Sequence, residues 1–150
     1  GGGSNNTLDP SGFTLGPVTL LGLAGNDTLH GSPGNDLIDG GTGSDQVRQA
    51  VNTDQVLTNS TLTGYGNDTH SSFERVQLAG GVGDNRLDAQ AFTSGSVELD
   101  GGDGNDTLTV AVNRTSRHDL RATARSLLDR DGCPTRAGEH KCAGFVPLCK

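Results

Sequence analysis

Residues 22–48 read GLAGNDTLHGSPGNDLIDGGTGSDQVR, three nine-residue units end to end, each with glycine in fourth place and aspartate in sixth. A turn used once has no reason to recur at a fixed interval, whereas a turn that stacks on copies of itself does. Glycine at the first, second and fourth places permits positive φ and lets main-chain carbonyls approach a common point. The aspartate two residues after the last glycine brings an anionic oxygen to the same place. Carbonyl and carboxylate oxygens together are ligands for a hard cation. Ca²⁺, which takes about six to eight oxygens in flexible geometry, suits a backbone cage better than Mg²⁺, and zinc would want the Cys or His that the turns lack.

The turn recurs along the chain as GGGSNN from residue 1, GLAGND from 22, GGTGSD from 40, TGYGND from 63, GGVGDN from 80 and GGDGND from 101. A coil of roughly twenty residues that returns to a similar turn predicts an all-β parallel solenoid whose coils contact only their neighbours. Residues 1–29 also align with 80–108 at a constant offset, and sixteen of the 29 pairs are identical, which marks a duplication rather than a bias of composition. An apolar residue usually follows two places after the sixth turn position, as Leu8, Leu29, Val47, Leu87 and Leu108, with His70 breaking the column. The pairs Val18/Leu20, Val76/Leu78 and Val97/Leu99 have the period-2 spacing of strands that bury one face.

Residues 22–30, 31–39 and 40–48 resemble the GGxGxDxUx nonapeptide of the RTX (repeats-in-toxin) calcium-binding family, and residues 80–88 and 101–109 resemble it less completely. The resemblance implies a right-handed parallel β-roll in which successive turns fall on opposite edges and ions lie between turns stacked on one edge. It implies an ion between the turns at 22 and 40, held by Asp27 and Asp45 with carbonyls near Gly22, Gly25, Gly40 and Gly43. Gly34 and Asp36 would face the other edge, with no partner turn identifiable from the sequence. Asp68, and Gly104 with Asp106, extend the set of metal ligands. Asn6 and Asn85 replace the aspartate, Leu23 the second glycine and Thr63 the first, so the sites at 1 and 80 are expected to be weak or empty. The competing reading is a solenoid whose Asn and Asp side chains bond locally and bind nothing.

Only 31% of the 150 residues are hydrophobic and five are aromatic, too few for a conventional core. Residues 1–109 carry 14 acidic side chains against 3 arginines, while 110–150 carry 4 against 8 Lys/Arg. The acidic body argues for cations and against nucleic acid as partners. No stretch is apolar enough to span a bilayer, and no signal peptide is visible. The expected division is a repeat region over 1–109 and a basic, Cys-containing tail over 110–150. In the tail, Leu120, Ala124, Leu127 and Leu128 fall at helical spacing behind Ser116, compatible with a capping helix or with a disordered end. Cys133, His140, Cys142 and Cys149 match no standard zinc spacing, and one disulfide or three free thiols are both compatible with three cysteines.

No nucleophile elbow, phosphate loop or His-Glu-x-x-His motif is present, so no catalytic residue and no enzymatic activity are assigned. The reading is calcium binding by the repeat segment of a larger secreted or surface-exposed bacterial protein, with calcium-dependent folding; location and export follow from the resemblance. The alternatives are an adhesive or scaffold solenoid that meets a surface or protein through its stacked face, and the repeat region of a secreted hydrolase or toxin.

Overall fold

The computed structural model describes residues 1–111, together with the backbone of Arg121–Ala122. The strands are β1 (Thr7–Leu8), β2 (Thr19–Leu21), β3 (Thr28–His30), β4 (Leu37–Asp39), β5 (Gln46–Ala50), β6 (Gln55–Thr58) and β7 (Thr61–Thr63). They continue as β8 (Asn67–Ser71), β9 (Arg75–Val82), β10 (Arg86–Ala91), β11 (Ser96–Asp103), β12 (Thr107–Val110) and β13 (Arg121–Ala122). Among the described residues there is no helix. The architecture is a β-roll of two sheets. One runs β1-β3-β5-β9-β11-β13 and the other β12-β10-β6-β7-β8-β4-β2, so the chain changes sheet at nearly every turn.

Short strands suffice because each coil needs only one or two inward side chains. Leu29, Val47, Val76, Leu78, Val97 and Leu99 from the first sheet meet Ile38, Leu57, Leu62, Leu87 and Ala89 from the second in one continuous core. Parallel pairing aligns like with like, as in Leu29↔Val47 and Val47↔Val76. His70 sits inward at its column position, 3% exposed, with its ring 5.9 Å from Phe73 and 6.3 Å from Phe92. Its Nε2 lies 3.1 Å from the Thr58 carbonyl, and burial holds its pKa below the usual histidine value. The column is thus positional, and a polar residue occupies one place in it. Leu78→Ala, which empties a fully buried site between two strands, is expected to cost about 2–5 kcal/mol in a urea titration at saturating calcium. A cost below about 1 kcal/mol would contradict this packing.

The parallel stack has one local exception: β7 runs antiparallel to both β6 and β8. The physical reason lies in LTNSTLT (57–63), where two Leu/Thr runs flank Asn59-Ser60. The Thr58 hydroxyl accepts the Ser60 and Thr61 N–H groups and closes a hairpin. The repeats at 80 and 101 lead into the second sheet, on the opposite edge from their duplicates at 1 and 22, which lead into the first. In the tail the backbone of Arg121–Ala122 pairs with β11, while Leu120, Ala124, Leu127 and Leu128, which carry the helical spacing, lie outside the described residues. The remaining tail residues, including the Cys/His quartet, lie outside the described residues.

Candidate metal centre

Turns that lead into the first sheet stack on one edge. The N–H of Asn6 donates to Asp27 Oδ1 (2.7 Å), that of Asp27 to Asp45 Oδ1 (2.7 Å), and that of Asp45 to Glu74 Oε2 (2.8 Å). Each carboxylate therefore spends one oxygen on tying its turn to the turn before it. The second oxygens, Asp27 Oδ2 and Asp45 Oδ2, are buried and have no hydrogen-bond partner. Asp27 is 1% and Asp45 0% exposed, so water does not satisfy these atoms by general exposure.

The glycines shape what those oxygens face. A Cβ on Gly22 would strike the Gly40 carbonyl and lie 2.6 Å from Asp27 Oδ2, and one on Gly40 would strike the Ser72 carbonyl and lie 2.8 Å from Asp45 Oδ2. Carbonyl and carboxylate oxygens thus converge on a space that only glycine leaves open. Gly25 and Gly43 have φ of 122° and 141° and approach each other back to back, with Gly25 donating to the Thr42 carbonyl (3.0 Å). Among the described residues no three His, Cys, Asp or Glu side chains converge, so a cation here draws most of its oxygens from the main chain. That donor set fits Ca²⁺.

On the other edge the turn at 31–36 finds its partner in the turn at 63–68. The Asp36 N–H donates to Asp68 Oδ1 (2.9 Å), that of Asn67 to Asn35 Oδ1 (3.0 Å), and that of Gly34 to the Tyr65 carbonyl (3.2 Å). Asp36 differs from its counterparts because both oxygens are engaged: Oδ1 accepts the Val18 N–H (2.9 Å), and Oδ2 accepts the Ser32 N–H (3.0 Å) and hydroxyl (2.8 Å). A serine in second place satisfies the carboxylate locally. Asp68 keeps a bare, buried Oδ2, and burial pushes its carboxyl up to about 6.

Further along this edge, Asp106 Oδ1 accepts the Asn85 N–H (2.9 Å) while its Oδ2 is buried without a partner against Gly101. Gly104 stacks on Gly83 with φ of 131°. The pair at 80 and 101 thus presents one carboxylate and one amide. At the chain's first turn, Asn6 Oδ1 accepts the Gly2 N–H (2.8 Å), a local bond that uses the atom an ion would need.

Sequence reasoning missed Glu74, Ser72 and Gln49. Glu74 continues the ladder of Asp27 and Asp45, and the signal was present, because Val76 follows it by the same two places as Leu29 follows Asp27. Ser72 adopts φ of 61° where a repeat would place glycine, which hides the turn from a glycine pattern.

The family model for the RTX calcium-binding nonapeptide repeat matches residues 19–47 and 93–110, in four copies. No curated protein and no solved structure matches the chain. The matched spans hold the turns at 22, 31, 40 and 101, and leave out those at 1, 63 and 80.

Proposed function

Because this chain carries RTX nonapeptide repeats, which bind Ca²⁺, we propose that calcium also drives its folding, by bridging turns stacked on one edge. Asp27 and Asp45, with the carbonyls of Gly22, Gly40 and Ser72, would hold the ion or ions of the first edge. Asp68 and Asp106 would serve the second, with the family's glycine positions Gly25, Gly34, Gly43 and Gly104 keeping the turns close. A bound cation supplies the positive charge that lets these carboxylates approach.

The observation that carries the reading is the row of buried carboxylate oxygens without partners, Asp27 Oδ2, Asp45 Oδ2, Asp68 Oδ2 and Asp106 Oδ2, each in the sixth place of a turn. An acceptor buried without a donor costs about 1–3 kcal/mol, and more when charged. Several in register are a standing cost that one kind of ligand removes. Since the site exists only when turns are stacked, binding free energy becomes folding free energy. A chain of this kind, acidic and loosely ordered at low calcium and stiffened at high calcium, suits a protein that works outside the cell.

Calorimetric titration of the full chain with calcium tests this. Binding should be calcium-selective over magnesium, and Asp27→Ala or Asp45→Ala should weaken it at the first edge about tenfold or more, ~1.4 kcal/mol or more. No heat of binding, or isotherms of both variants unchanged from the wild type, would overturn the assignment.

A further inference from the structure

We propose that the point where the hairpin enters the roll is a cation site of a second kind, in which Gln49 replaces a turn carboxylate and acts with Asp68. Neither residue lies in the spans matched by the repeat. The proposal takes only the identity of the ion from the calcium reading, and the site itself stands on the following geometry.

Gln49, on β5, is 4% exposed. Its Nε2 donates to Gln55 Oε1 (3.2 Å) and to the Thr63 carbonyl (3.1 Å). Gln55 is fixed in turn, since its own Nε2 donates to the carbonyls of Ala79 (2.7 Å) and Val51 (3.3 Å). Reversing the Gln49 amide would set its oxygen against two acceptors, so the network fixes which way it points. Its Oε1 therefore faces away from Gln55 and has no hydrogen-bond partner.

That oxygen lies 3.1 Å from the place a Cβ on Gly31 would take, and Asp68 Oδ2, also without a partner, lies 3.6 Å from the same place. Two buried acceptors thus face one void with no donor between them. Acceptors turned toward each other repel unless something positive lies between, and the low local dielectric raises that cost. A cleft of about 220 Å³ bordered by Ser11, His30, Gly31, Arg48, Gln49 and Tyr65 lies beside Gly31 and Gln49. Arg48 alternates to the exposed face of β5, opposite Gln49.

One carboxylate and one amide oxygen, completed by main-chain carbonyls or water, suit a hard divalent cation bound less tightly than between two aspartates. The physical role follows from the fold. Here an antiparallel hairpin interrupts the parallel stack, the turn after β5 directs its aspartate, Asp54, to the Arg86 N–H (2.8 Å), and Gln49 reaches this position from the strand.

Crystals of the full chain grown with Ca²⁺, measured at a wavelength where calcium scatters anomalously, test the inference in the unmutated protein. A peak bridging Gln49 Oε1 and Asp68 Oδ2 is expected. Peaks at the Asp27–Asp45 stack with only water at Gln49 would overturn the inference and leave the calcium reading intact. A peak at Gln49 and none at the stack would do the reverse, and no peak anywhere would overturn both. In solution, Gln49→Met should bind one calcium fewer per chain than the wild type, and an unchanged stoichiometry overturns the proposal.

Discussion

Gly43→Ala is expected to destabilise the roll by ~3 kcal/mol or more, even at saturating calcium. Two causes add. Gly43 has φ of 141°, a conformation that costs an L-residue about 1–3 kcal/mol, and its Cβ would run into the Gly25 carbonyl of the turn stacked on it. That neighbour is main chain held by the Gly25 N–H bond to Thr42, so it cannot step aside without parting the two turns. Gly12 supplies the control, since a Cβ there meets nothing within 4 Å, and Gly12→Ala should be neutral or slightly stabilising. Urea titrations of the two variants check the contrast. Equal midpoints would mean that the turns are not stacked as described.

The double variant Asp27→Asn/Asp45→Asn should reverse sign with calcium. Without the ion, the two carboxylates stand one coil apart, each buried, with one oxygen of Asp45 on the Asp27 N–H. At the ~5 Å spacing of neighbouring strands and an effective dielectric of about 20, their repulsion is on the order of 3 kcal/mol. Asparagine keeps the Oδ1 acceptor and offers an Nδ2 donor toward the carbonyls of Gly40 and Ser72. In chelator the variant should therefore hold more β structure than the wild type, and in excess calcium it should melt lower because the ion has lost both charges. Far-UV circular dichroism of both proteins in chelator, and their melting temperatures in excess calcium, decide it. A variant less stable under both conditions would show that the carboxylates stabilise the fold without a cation.

How much of this was legible in the sequence follows from what each feature depends on. The nonapeptide turns were readable because their chemistry is local: glycine where backbones touch and aspartate where an oxygen is wanted. The inward columns were readable because strands alternate, and even His70 kept its place in one. What escaped was set by long-range register. The partner of Asp36 proved to be Asp68, 32 residues away. Ser32 stands in the second place of a repeat and carries no signal of its own, yet its two bonds to Asp36 Oδ2 occupy that oxygen. Gln49 carried no motif at all, and its oxygen is conspicuous only once Gln55 and Thr63 have fixed the amide.

Far-UV circular dichroism of the full chain during a calcium titration, with magnesium as the control and a chelator to reverse it, bears most directly on calcium-dependent folding. The account predicts a coil-to-β transition that calcium produces, magnesium does not, and chelation undoes. If each ion site is filled at about a hundred times its Kd, each should add ~2.7 kcal/mol to stability. A β spectrum already complete in chelator and unchanged by calcium would contradict the account, and would leave a roll held by its Leu/Val stack alone.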